Sequence, residues 1–106
     1  MKDGIYFVVF SSNQNDVGNG TVVVRDGSVN GGDFGFTYQG KVDGAKLDLH
    51  VFQHNPNAQN IFHGVKEYTI NLSIAEVSGG YSLSGSVNGI AGAILTVKAK
   101  KIGDLV

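Results

Sequence analysis

The sequence YTINLSIAEVSGGYSLSGSV, residues 68–87, is the part of the chain that indicates the fold most clearly. Apolar residues take every second position from Tyr68 to Ile74, and the same alternation resumes at Tyr81. A period of two is typical of a β-strand with one buried face. Between the two runs lies Gly79-Gly80, and glycine best tolerates the positive φ angles of a tight turn. The stretch therefore predicts two antiparallel strands joined as a hairpin.

Turn-forming dipeptides also separate short apolar runs elsewhere in the chain, and helical periodicity is not found along it. These dipeptides are Asp26-Gly27, Asp43-Gly44 and Asn88-Gly89. We predict strands over about residues 4–11, 21–25, 28–30, 34–39, 46–54, 68–75, 81–87 and 93–100. A polar loop is expected over residues 12–19, and a bulge or a corner at Gly31-Gly32.

Strands that no helix covers must bury their inner faces against one another, as a sandwich or as a closed barrel. Short connections between consecutive strands favour an up-and-down meander, and about eight strands just fill a barrel with side chains. We therefore predict an all-β fold. Its form is a single antiparallel up-and-down β-barrel of about seven or eight short strands, in one domain that spans residues 1–106.

The composition narrows the classes of function. Eight basic residues against nine acidic ones give a net charge of −1, whereas nucleic-acid binding needs a basic stripe. The sequence has no cysteine, which excludes disulfides and thiolate metal sites. No apolar run approaches the ~20 residues of a membrane helix. We expect a cytoplasmic protein that needs no cofactor and contacts neither nucleic acid nor membrane directly.

The chain carries no recognisable catalytic or metal-binding pattern. Asp48, His50 and His54 share one face of a predicted strand, and His63 follows them. At ~3.3 Å per residue, the two strand histidines would lie about 13 Å apart, too far for one metal ion. No serine occupies a nucleophile elbow, and the glycine pairs precede no helix that could hold a phosphate. We therefore expect no enzyme activity and no bound metal.

Aromatic residues at inward positions define the predicted barrel interior. They either fill it as a core or line a pocket for a small apolar ligand, and the sequence leaves both alternatives open. These residues are Tyr6, Phe10, Phe34, Phe36, Tyr38, Tyr68 and Tyr81.

Large apolar residues also fall on the outward face of predicted strands. Both faces of the first strand are apolar, and an apolar face left outside a barrel marks an association surface. The candidate interface residues are Ile5, Phe7, Val9 and Phe52, and we expect the protein to form a homodimer through them.

Several short motifs together resemble the GrlR family, small negative regulators of type III secretion genes in enteric pathogens. The resemblance is dense over residues 1–54 and continues beyond them only as a strand pattern. The motifs are Met1-Lys2-Asp3-Gly4-Ile5-Tyr6, Phe10-Ser11-Ser12-Asn13, Gly18-x-Gly20, Gly31-Gly32-Asp33, Tyr38-Gln39-Gly40 and Leu49-His50-Val51.

This resemblance implies a dimeric, lipocalin-like barrel that represses by binding and sequestering a helix-turn-helix transcription activator. The family's contact is a run of four acidic residues between the Tyr-Gln-Gly and Leu-His-Val segments. Here residues 41–46 of that region hold a single acid, Asp43, between Lys41 and Lys46, so the chain departs from the family pattern. These three residues are the expected partner contact. The alternative function is that of a calycin-like carrier of a small hydrophobic ligand or lipid.

Overall fold

The computed structural model describes residues 1–13, 17–58 and 65–106, which form eight antiparallel strands in a closed barrel. Every strand pairs with the next one in the chain, and the last strand pairs with the first. The predicted up-and-down barrel is therefore confirmed. The strands are β1 (Gly4–Ser12), β2 (Val17–Arg25), β3 (Ser28–Gly32), β4 (Phe36–Asp43), β5 (Lys46–Gln53), β6 (Glu67–Val77), β7 (Gly80–Val87) and β8 (Ile94–Gly103).

The two turns predicted at Asp-Gly dipeptides differ from each other in detail. Asp26 and Gly27 have φ angles of 51° and 79° and join the paired residues of β2 and β3, as expected for a type I′ hairpin. In the β4–β5 hairpin, however, Asp43 pairs with Lys46, so Asp43 belongs to β4 and the loop consists of Gly44 and Ala45. The φ angle of Gly44 is 60°, which places the required glycine first in the loop.

Strand β2 begins four residues earlier than predicted. The prediction of a polar loop over residues 12–19 is wrong for its last three residues, because Val17, Gly18 and Asn19 pair with the end of β1. The predicted bulge at Gly31-Gly32 is also absent, because the pairing of β3 with both neighbours runs through these residues without a shift of register. A register shift occurs instead between β1 and β8, at Ile5 and Tyr6.

The core occupies the barrel interior and is built from the alternating inward residues of the strands. Tyr6, Val8 and Phe10 of β1 are buried, as are Leu47, Leu49 and Val51 of β5. Glycines permit the tight curvature of so small a barrel. A Cβ atom on Gly31 would overlap the carbonyl oxygen of Thr21, and one on Gly85 that of Asn71.

Phe34 is the main exception to the predicted inward set. Its side chain is 77% exposed, so the prediction that it points into the barrel is wrong. Strand β4 begins only at Phe36, and the alternation that places Phe36 and Tyr38 inside does not reach back to residue 34. The described residues contain no helix long and apolar enough to cross a membrane.

Candidate protein-binding surfaces and barrel interior

The outer face of β1 is apolar along most of its length, and we call it the β1 face. It consists of Ile5, Phe7 and Val9, and Phe7 is 39% exposed. On β2 it is extended by Val23, which is the direct partner of Ile5. The outer face of β7 is different, since Ser82, Ser84 and Ser86 occupy it. An outward position on this barrel therefore does not require an apolar side chain.

Two lysines border the β1 face on its β8 side. Lys100 lies opposite Phe7 and Lys98 lies opposite Val9. The Nζ of Lys98 donates a hydrogen bond to the Ser82 hydroxyl at 3.0 Å, so this side chain leans away from β1 toward β7. The lysines therefore form a polar border, and Phe7 is the exposed centre of a stripe in which Ile5 and Val9 are partly buried.

Phe52 does not belong to the β1 face. It lies on β5, four strands from β1 in a closed ring of eight, and therefore on the opposite wall of the barrel. Its ring packs beside that of His50 at 5.2 Å, and His50 Nε2 lies 3.4 Å from a carboxylate oxygen of Glu67. The four candidate interface residues thus form two separate sites.

The tip of the β4–β5 hairpin carries the three residues proposed as the partner contact. Lys41, Asp43 and Lys46 are exposed and alternate with the inward residues, which places them together on the outer face. Neighbouring strands support the tip from both sides. The Val42 amide donates to Gly27 O at 2.8 Å, and the Ala45 carbonyl accepts the Ile74 amide at 2.8 Å. The charges are therefore displayed from a well-supported backbone.

At the barrel end that carries both chain termini, two tyrosines close the interior. The Tyr6 hydroxyl donates to Lys2 O at 2.7 Å, and the Lys2 amide donates to the Tyr81 hydroxyl at 3.0 Å. The two rings lie 5.9 Å apart. Burial, with contributions from Tyr81 and Asp3, raises the pKa of Tyr6 to about 12. These hydrogen bonds tie the N-terminal residues across the end of the barrel.

At the opposite end, the Asp33 carboxylate organises the connection between β3 and β4. One oxygen accepts hydrogen bonds from the amides of Gly35 and Phe36 at 2.8 and 2.7 Å, and the other accepts a hydrogen bond from the Tyr38 hydroxyl. Burial, and then the hydrogen bond to Asp33, raise the pKa of Tyr38. Next to this pair the interior contains a cavity of about 70 Å³.

The histidines do not assemble a metal site with their neighbours. His50 contacts Glu67, and the Nε2 of His54 lies 3.0 Å from the Asp33 carbonyl oxygen. Asp48 instead accepts a hydrogen bond from Asn71 at 2.8 Å. Across residues 1–13, 17–58 and 65–106, no three metal-ligating side chains cluster. His63 lies outside the described residues.

The family model of GrlR, described as a T3SS (type III secretion system) negative regulator, matches residues 1–105 of the chain. This match covers essentially the whole sequence, and the chain therefore belongs to the GrlR family. No curated protein matches it.

Two features of the interior were not found from the sequence. The sequence motifs predict no structural role for Asp33, although an Asp directly before a turn is a known signal for capping backbone amides. The predicted polar loop includes Gly18, yet this residue faces inward opposite Phe10 and lines the cavity. No local signal marks that position, because its role depends on the rings of other strands.

Proposed function

We propose that this protein is a cytoplasmic, non-enzymatic negative regulator of type III secretion that acts by binding and sequestering a transcription activator. Membership of the GrlR family supports the regulatory role. The apolar β1 face is the observation that supports a mechanism based on protein contact, because an apolar stripe with a polar border is typical of protein–protein interaction sites.

In this proposal the β1 face joins two copies of the chain as a homodimer. Ile5, Phe7 and Val9 supply an apolar centre, and the lysines on β8 supply a polar rim, the usual anatomy of an interface. A two-fold dimer buries the same patch of both copies, so a single stripe is sufficient. Phe52 lies on the opposite wall and takes no part in this contact.

The hairpin tip then contacts the regulated partner. Asp43 pairs with Lys46 and Asp48 pairs with Lys41, so the outer face of the hairpin carries two cross-strand pairs of opposite charge. A complementary partner segment would place acidic side chains against the two lysines, because opposite charges steer association and suppress wrong partners. The tip and the β1 face are separate surfaces, so dimerisation and partner binding can occur together.

A second candidate function is the binding of a small ligand inside the barrel. The cavity of about 70 Å³ beside Tyr38 and Phe36 favours it. Pockets for drug-sized ligands hold roughly 300–1,000 Å³, so this space suits a much smaller molecule than a lipid.

Deletion of the gene in the native bacterium tests the regulatory proposal. We expect transcription of the type III secretion genes to rise in the deletion strain and to return to its original level when the wild-type chain is supplied. Transcript levels that do not change on deletion would contradict the proposed role. The Lys41→Glu/Lys46→Glu variant should fail to restore repression, whereas Lys66→Glu, a charge reversal away from the tip, should succeed.

A further inference from the structure

The cavity of about 70 Å³ has an unusual wall for the interior of a small barrel. Four of its lining residues are aromatic, and one is an acid at the mouth of the barrel. The aromatic residues come from three different strands, β1, β4 and β6, so they surround the space rather than stack on one side of it. They are Phe10, Phe36, Tyr38 and Tyr68, and the acid is Asp33.

The space exists because residue 18 is a glycine. Gly18 pairs with Phe10 and shares its inward direction, yet a Cβ atom placed on it would meet no other atom of the described residues within 4 Å. Gly20, two residues further along β2, is different, since its Cβ would lie 2.9 Å from the Tyr38 ring. The barrel is therefore packed up to Gly20 and open at Gly18.

The carboxylate of Asp33, beside the cavity, has hydrogen bonds but forms no ion pair with any described residue. Its two oxygens accept two backbone amides and the Tyr38 hydroxyl, all from neutral donors. Among the described residues, the ion pairs formed are His50 with Glu67 and Lys101 with Asp104, and neither involves Asp33. A negative charge at the edge of an aromatic-walled space attracts a positive group more strongly than it would in water.

We propose that this cavity binds a small alkylammonium group. Aromatic rings attract ammonium ions through their quadrupoles, most strongly when the ion is desolvated, and cages of such rings recognise methylated amines. Asp33 supplies the counter-charge at the mouth. This site lies inside the barrel and is independent of the outer surfaces assigned to regulation.

The size of the cavity limits the ligand to the ammonium group and its first carbons. A water molecule occupies roughly 30 Å³ in the liquid, so 70 Å³ holds a group of about two or three times that size. Such a group comes either from a free small amine or from the tip of a lysine side chain on a partner protein. Both sources present the same chemistry to the rings.

Titration of the ¹⁵N-labelled full chain, followed by its amide NMR signals at constant ionic strength, tests this site. The probes are trimethylammonium and methylammonium for a free amine, and N-acetyl-lysine-methylamide for a side-chain tip. Isopropanol is an uncharged probe of about the size of trimethylammonium.

We expect saturable shifts of the Gly18 and Phe36 signals with at least one charged probe. Its affinity should exceed that for isopropanol about tenfold or more, as expected when a cage and a counter-charge act together. Saturation by the lysine probe alone would assign a partner's side chain, and saturation by the methylammonium probes would assign a free amine.

Three variants separate this account from nonspecific effects. Gly18→Val fills the open space and should abolish the shifts, whereas Ser84→Val, on the exposed outer face of β7, should leave them unchanged. Asp33→Asn keeps the shape of the side chain and should reduce the charged probe's affinity to that of isopropanol. Equal binding of charged and neutral probes, or unaltered binding by Gly18→Val, would overturn the proposal. So would shifts that stay unsaturated with every charged probe.

Discussion

The carboxylate of Asp33 accepts a hydrogen bond from the hydroxyl of Tyr38 and thereby joins a surface turn to the barrel interior. The same side chain accepts the amides of Gly35 and Phe36. These contacts bend the chain sharply before β4 and hold Tyr38 at the end of the core. They also leave Phe34 between the bonded residues with its ring outside the barrel.

Replacing this acid should destabilise the protein. Asp33→Ala removes three hydrogen bonds to a charged acceptor and leaves the buried Tyr38 hydroxyl without its partner, so we expect a loss of about 2–3 kcal/mol in the free energy of unfolding. Asp33→Asn can still accept the two amides and should cost less than half as much. Urea denaturation measures both values. An alanine variant as stable as the wild type would show that the turn does not depend on this carboxylate.

Stability should fall at alkaline pH because of the buried tyrosines. The pKa of Tyr6 rises from 10.0 to about 12 in the folded state, and that of Tyr38 is also raised. A raised pKa stabilises the folded protein fully below pH 10 and less as the pH rises through the folded value. We therefore expect the free energy of unfolding to decrease between pH 10 and 12, and to decrease less steeply in Tyr6→Phe.

The phenolate absorbance of the folded protein gives a direct check of this pH dependence. Part of the signal from the four tyrosines should appear only above pH 11, or together with unfolding. Ionisation of all four near pH 10 in a protein that remains folded would contradict the assignment.

Two glycine-to-alanine substitutions should have opposite effects. In Gly85→Ala the new methyl group would overlap the Asn71 carbonyl oxygen, so the strands must move apart, at a cost of about 2–3 kcal/mol. In Gly18→Ala the new methyl group enters open space, and the reduced entropy of the unfolded chain should stabilise the protein by about 0.5–1 kcal/mol. Thermal unfolding of the two variants in parallel measures the difference. Equal destabilisation by both would mean that the space at Gly18 is not open.

The barrel could be predicted because its strands and turns carry local signals. The alternation in residues 68–87 and the Asp26-Gly27 turn each specify their own structure. Short connections then leave few ways to pair the strands. The order of the closed barrel follows from these features together.

The mistakes arose where distant residues override the local pattern. Gly18 and Asn19 resemble a loop, but they pair with β1, and the Tyr38 ring occupies the space beside Gly20. The spacing of Phe34 predicts an inward ring, yet the Asp33 hydrogen bonds interrupt the strand. Phe7 and Phe52 look equivalent in the sequence, and only the strand order places them on opposite walls.

The charges at the hairpin tip should control partner binding without affecting the fold. In Lys41→Glu/Lys46→Glu we expect the association rate with the transcription activator to fall at least tenfold at low salt and to recover partly at high salt, because the new carboxylates repel the acidic partner segment and salt screens that repulsion. The unfolding midpoint should stay unchanged, since both side chains are exposed. Stopped-flow association with purified activator at two salt concentrations measures the effect, with Lys66→Glu as the control. Identical rates for both variants would place the contact elsewhere on the barrel.

Multi-angle light scattering over a range of protein concentrations measures whether the β1 face joins two copies of this chain, as we propose. The wild type should have twice the 11.1 kDa mass of the chain, Phe7→Ser should have the mass of one chain, and Phe52→Ser should remain dimeric. A wild type that stays monomeric at every concentration would contradict the claim, as would a Phe7→Ser variant that remains folded and dimeric.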